Sequence, residues 1–371
     1  MRAAPPLLLI LISVSAHASV GTRPQPVVYG EDGRQDVFEV SDPRWAQLAA
    51  ESVVALFESG RLEGLRDALS SAQLPDDYHY GISQNICPEQ RFYDQPAAAD
   101  CGGVLIDHDL VLTAGHCVPG GTCVDIQAAF SYLIADAQAG VSLVEEDIFS
   151  CAEVVVRTQG READGYHDFA VLRLDRSVGD AQIAPPMRLS AAPLPSHSPL
   201  VSISPGAGLP LKIDAGGQVI DGRSVDYFTA HLDTFFGSSG SPVFDHHGEL
   251  VGVLVRGQQD YRWDATRSCY VVNVALESPS SREEVGYLRP AIAALCALET
   301  EQDRALCEGL GGPDIPPPEL PEPPVVLPPI EEPEPQPKDD SGGCSAASSG
   351  GLAGLWLLCL LPLLRSRRGR S

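Results

Sequence analysis

From Cys101 to about Leu276 the chain consists of brief apolar runs broken by turn residues, mainly Gly, Asp, Ser and Pro. Gly103 to Ile106, Val154 to Val156, Phe169 to Leu174, Leu200 to Ile203 and Leu250 to Val255 are the clearest of these runs. Runs this short, with turn signals between them, predict an all-β sandwich or barrel. Upstream the pattern changes. Ser41-Asp42-Pro43 ahead of Arg44 to Ala50 predicts a short helix with a polar cap and Pro near its first position. Val53 to Phe57 has the β-branched, apolar content of a buried strand, but a run of that length also fits a continuing helix. Gly60 is expected to end either element, and no internal repeat stands out.

Both ends depart from this pattern. Arg2, the apolar stretch Leu7 to Val14 and the small residues of Ala16-His17-Ala18 predict an export signal over residues 1–18. Residues 19–27 form a candidate propeptide, with a cut expected before Val28. One globular domain is expected over 28–312. Residues 313–341 are dominated by Pro and Glu, which predicts an extended spacer. The last segment, 342–371, runs from Gly342-Gly343-Cys344 through apolar Leu352 to Leu364 to Arg365, Arg367, Arg368 and Arg370. It predicts membrane contact through the C-terminus with the arginines on the cytoplasmic side, although the apolar core is shorter than a typical span of about 20 residues. The expected location is secreted, at the cell envelope or surface.

Export changes how the cysteines are read. Of ten, eight (Cys87, Cys101, Cys117, Cys123, Cys151, Cys269, Cys296 and Cys307) fall in the globular part, an even number that suits disulfides in an oxidising compartment. Cys296 and Cys307 are an attractive pair for their short separation. No C-x-x-C or H-x-x-x-H spacing supports zinc, so no metal is expected. A formal net charge of −25 argues against nucleic acid, whose binding needs a basic face to replace counterions.

Three segments carry nucleophile chemistry: Leu112-Thr113-Ala114-Gly115-His116-Cys117, the run Asp168 to Leu174, and Gly237-Ser238-Ser239-Gly240-Ser241-Pro242. A neutral serine hydroxyl is a poor nucleophile. Acyl transfer needs an imidazole to take its proton and a carboxylate to orient that imidazole. His116, Asp168 and Ser239 supply one of each.

These segments, together with Cys101-Gly102-Gly103-Val104-Leu105-Ile106, resemble the motifs of the chymotrypsin-like and trypsin-like serine peptidases. The Gly-Ser-Ser-Gly-Ser-Pro string and Val28-Tyr29-Gly30-Glu31-Asp32-Gly33-Arg34 look more like the bacterial glutamyl endopeptidase relatives than the digestive enzymes. The resemblance implies two antiparallel six-stranded β-barrels with a cleft between them, and catalysis by His116, Asp168 and Ser239 on protein or peptide substrates. It implies an oxyanion hole formed by the N–H groups of Gly237 and Ser239, a Cys101 to Cys117 disulfide, and no metal or organic cofactor. Ser238 stands where the digestive enzymes have an Asp that pairs with a newly cut N-terminus, so activation by that pair is in doubt. The terminal segment resembles a myxobacterial sorting tail, which implies lipid attachment at Cys344. A plain membrane anchor is the alternative.

The substrate pocket is less determined. Asp233 lies six residues before Ser239, where trypsin-like members bind a substrate Lys or Arg, and a buried carboxylate favours a cation. Arg256, followed by Gly257, falls on the strand expected to line the pocket, where it would pair with Asp233 or attract an acidic substrate. The sequence leaves this choice open. It also leaves two other functions: a binding module on the same fold without proteolysis, and an esterase.

Overall fold

The computed structural model describes residues 28–310 except 72, 163–164, 190–192, 276–281 and 299. The predicted export signal, candidate propeptide, spacer and terminal segment with Cys344 lie outside the described residues. The chain divides into two units, Met1–Glu322 and Pro323–Ser371, and every described residue belongs to the first.

Twelve strands close into two six-stranded antiparallel barrels, as the resemblance implies. The first uses β1 (Val53–Glu58), β2 (Cys101–Asp107), β3 (Leu110–Thr113), β4 (Ile126–Ala129), β5 (Ile148–Glu162) and β6 (Gly165–Leu174), in the spatial order 1-2-3-6-5-4. The second uses β7 (Pro199–Ser204), β8 (Lys212–Asp221), β9 (Tyr227–His231), β10 (Pro242–Asp245), β11 (Leu250–Arg256) and β12 (Glu283–Tyr287). Its order, 7-8-9-12-11-10, is that of the first barrel moved on by six. The barrel strands therefore start at Val53 and end at Tyr287, beyond the range that the apolar runs suggested on both sides, and a separate two-stranded pair joins Val28–Tyr29 to Val274–Ala275.

Burial explains why β1 was ambiguous in sequence. Side chains alternate across a strand. Val54 and Leu56 point into the first barrel with Leu105, Val111 and Leu172, while Ala55 and Phe57 pack on the opposite side with Leu62, Leu65 and Tyr132. Both faces are covered, so the strand reads as an unbroken apolar run. Val53 joins a further cluster with Val104, Leu112, Ile203, Leu211 and Val253, which draws on both barrels and is capped by Ala291, Ile292 and Leu295 of the helix Leu288–Cys296.

The predicted helix is Pro43–Glu51, with the Asp42 side chain accepting from Arg44 N and with Trp45 and Ala49 buried. Gly60 ends nothing. It is the second residue of a helix, Ser59–Ser70, whose Leu62, Leu65 and Ala68 are buried at a helical spacing. Among the described residues, no helix is long and apolar enough to cross a membrane.

Candidate active site

His116 sits on a single tight turn, Gly115–Cys117, just after β3. Three contacts fix that turn. Cys117 is disulfide-bonded to Cys101 at the start of β2, Arg157 Nε donates to Gly115 O at 2.7 Å, and the Asp168 carboxylate reaches in from β6. Any side chain at position 115 would collide with Thr158 O and Phe169 O, so glycine is needed for this approach. Asp168 accepts from His116 N through Oδ1 at 3.0 Å and bonds the ring Nδ1 through Oδ2 at 2.9 Å. One carboxylate thus holds both the backbone and the ring of His116. The Asp168 side chain is buried and the His116 ring is partly exposed. His108 pairs with Asp107, and His231 stacks on Tyr29.

Ser239 lies in the turn between β9 and β10, in the second barrel. Its carbonyl accepts from Gly102 N at 2.8 Å and lies 3.6 Å from Cys117 Sγ, which docks the turn on the first barrel beside His116. On its other side Gly240 N donates to Leu254 O of β11 at 2.7 Å. Gly237 has φ +90°, a conformation that glycine adopts at no steric cost. Among the described residues, neither Gly237 N nor Ser239 N donates a hydrogen bond within the protein. Ser239 Oγ and His116 form no hydrogen bond there either. Ser238 is buried, and its Oγ accepts from Phe235 N at 3.1 Å and lies 3.0 Å from Ser204 Oγ. These bonds hold the turn where an ion pair with a cut N-terminus was in doubt.

The expected pocket residues have other partners. Asp233 is buried and accepts from Tyr29 N at 2.9 Å and Gly33 N at 2.7 Å, so its carboxylate clasps the backbone of the chain's early segment. Burial, reinforced by the neighbouring Asp214, pushes its carboxyl up to about 7. The pairing of Arg256 with Asp233 is not formed. Arg256 is salt-bridged to Glu284 at 2.6 Å and lies over the Tyr166 ring, because Arg256 and Glu284 are cross-strand neighbours on β11 and β12. Gly257 packs directly against the Glu283 carboxyl, which a side chain at 257 would have to displace. Glu283 is fully buried, accepts from Tyr29 OH at 3.1 Å, and is held well above the usual carboxylate range by burial.

Sequence reasoning missed several of these groups. Asp214 accepts from Asp233 N at 2.8 Å, and buried Arg34, paired with Asp32, lies 3.7 Å over the Phe235 ring. The early Tyr29-Gly30-Glu31-Asp32-Gly33-Arg34 string was visible, but its role was not, since Asp233 grips main-chain atoms. A metal finds no thiolate here. The sulfurs of Cys101 and Cys117 cluster with His116, but they are bonded to each other.

Residues 101–253 match the family model of the trypsin-like peptidase domain, a stretch that includes His116, Asp168 and Ser239. This stretch is similar to a trypsin-like peptidase domain. The chain's double barrel is of the chymotrypsin-like kind. Among solved structures, it is similar to the VesB protease of Vibrio cholerae, with 16% identity and a TM-score of 0.40 over 67% of this chain and 64% of the other. It thus spans less than two thirds of that protease's length. It is also similar to a Glu endopeptidase, with 18% identity and a TM-score of 0.43 over 74% of this chain and 99% of the other. No curated protein matches the sequence.

Proposed function

We propose that this trypsin-like domain is a serine endopeptidase, exported and held at the cell envelope by its C-terminal segment. One observation carries the reading: Asp168 grips both the ring and the backbone of His116, and the Ser239 turn docks on the same segment. An ionised carboxylate only accepts hydrogen bonds, so Nδ1 carries the ring proton and Nε2 keeps its lone pair. Nε2 takes the Ser239 proton as Oγ attacks the peptide carbonyl, then returns it to the leaving amine, while Asp168 stabilises the imidazolium. The N–H groups of Gly237 and Ser239 receive the oxyanion, a role in which losing one donor costs about 2.7 to 4 kcal/mol. Water then releases the acyl group by the same steps in reverse. Export and anchoring rest on the Arg2 to Ala18 and Gly342 to Arg370 patterns.

A fluorophosphonate probe tests the chemistry. The oxidised, secreted protein is expected to label at Ser239, with no labelling in Ser239→Ala. Failure of the wild type to label would leave only a binding role for the fold. Digestion of a peptide library then separates an endopeptidase, which cuts within chains, from an esterase.

A further inference from the structure

Phe236 precedes the oxyanion-hole residue Gly237, and its side chain is 83% exposed, so apolar packing does not hold it in place. Its main chain is held at both ends instead. Phe236 N donates to Asp260 Oδ2 at 2.9 Å, and Phe236 O accepts from Ala207 N at 2.6 Å. Ala207 has φ +61°, which is uncommon for a residue other than glycine, and its own carbonyl accepts from Gln84 Nε2 at 3.0 Å. Gln84 and Asp260 are distant in the chain but belong to one stapled piece. Gln84 follows the helix Tyr80–Ser83, and Asp260 leads into the strand Tyr261–Asp264. The partner of that strand, Cys269–Val272, is joined to the Gln84 segment by the Cys87–Cys269 disulfide and by a bridge between Ile86 and Tyr270. The hydroxyls of Tyr80 and Tyr261 add a 3.0 Å hydrogen bond.

We propose that Gln84 and Asp260 are positioning residues for the oxyanion hole, holding the main chain of Phe236 so that the Gly237 N–H stays turned toward the substrate carbonyl. The proposal rests on the peptidase reading for the role of that N–H. A trans peptide is planar, with its C=O and N–H on opposite sides. The direction of the Phe236 carbonyl therefore fixes the opposite direction of the Gly237 N–H. Gly237, at φ +90°, has no side chain to resist rotation of that peptide. The restraint has to come from the neighbours: Ala207 on the carbonyl, steadied by Gln84, and Asp260 on the preceding amide. A turn of the peptide would break the 2.6 Å bond and leave the N–H of Ala207, a buried residue, without its acceptor. Burial pushes the Asp260 carboxyl up to about 6, so at pH 8 it is ionised and accepts as a charged group.

Two measurements on the full chain at pH 8 test this. The first is the rate at which a fluorophosphonate labels Ser239, since the phosphoryl oxygen of the probe enters the oxyanion hole. Asp260→Ala is expected to label about tenfold more slowly, a part of the roughly 10²- to 10³-fold that follows outright loss of an oxyanion donor. Asp260→Asn, whose amide oxygen still accepts from Phe236 N, should stay within about threefold of the wild type. Gln84→Glu keeps the shape but has no proton to donate, and should slow labelling about fivefold. Asp264→Ala, which loosens the same hairpin by removing its pair with Arg267, should label at the wild-type rate. The second measurement is hydrogen exchange at the Phe236 amide, with protection expected in the wild type and in Asp260→Asn and lost in Asp260→Ala. A wild-type labelling rate in Asp260→Ala would overturn the proposal. So would equal slowing in Asp260→Ala and Asp264→Ala, which would mark a loosened hairpin, or equal slowing in the Ala and Asn variants at 260. If the wild type fails to label, the peptidase reading falls, and the exchange result still decides whether Asp260 holds this main chain.

Discussion

The two barrels share one strand order but hold their parts of the site by different means. In the first, covalent links stand beside the site: two disulfides, Cys101–Cys117 and Cys123–Cys151, lie within it, and His116 is oriented by one carboxylate at two points. In the second, buried charge does this work. Asp214, Asp233, Lys212 and Glu283 are all buried, and burial raises the three carboxyls and lowers Lys212 to about 8 despite its 2.7 Å pair with Asp36. A disulfide constrains the unfolded chain and does not respond to pH, whereas a buried carboxyl ties its loop to the proton concentration. One topology therefore carries a site half locked by bonds and half set by titration.

The sharpest break in this comparison is chemical. Asp168→Asn should lower kcat by about 10⁴-fold, because the ring is left in the wrong tautomer, while the melting temperature changes little. Steady-state kinetics beside a thermal scan would show it, and a large loss of stability with little loss of rate would reverse the assignment.

Next comes the staple. Replacing Cys101 and Cys117 together with Ala opens a link of sequence separation 16. It should cost about 3 kcal/mol, or roughly 6 to 12 °C in melting temperature for a domain of this size. The loss should be the same at pH 5 and pH 8.

The smallest effect is the most diagnostic. Asp233→Asn turns an amide N–H₂ toward Tyr29 N or Gly33 N and should cost about 1 to 3 kcal/mol. Here the sign depends on pH. The carboxyl titrates near 7 in the folded protein and near 4 unfolded, so the folded state holds the extra proton between those values. Its contribution to stability is full below about pH 4 and is lost as pH rises through 7. Denaturant unfolding at pH 5 and pH 8 should show the wild type losing more stability across that interval than the variant. Equal losses would remove Asp233 as the titrating group.

How much could be read in the sequence depends on the distance over which each contact acts. The His116, Asp168 and Ser239 segments were visible because their neighbours form local patterns: a cysteine beside the histidine, an apolar strand after the aspartate, and glycines around the serine. The double barrel came with the same segments. The fate of Asp233 was not visible, since its partners are backbone amides about two hundred residues away that no side-chain pattern marks. Arg256 looked like a pocket residue because its strand was identified without its cross-strand neighbour Glu284. β5 was seen only as Val154 to Val156, although it spans Ile148–Glu162, because much of its length is only partly buried and lacks a continuous apolar signal.

The clasp on Tyr29 and Gly33 also sets an order of events during synthesis. Residues 29 and 33 leave the ribosome early, but the carboxylate that holds them lies 204 and 200 positions later. Until Asp233 emerges, Tyr29 and Gly33 lack the carboxylate that holds them, and the turn bearing Ser239 emerges within a few residues of it. A growing chain therefore cannot complete its nucleophile turn before most of the double barrel has been made.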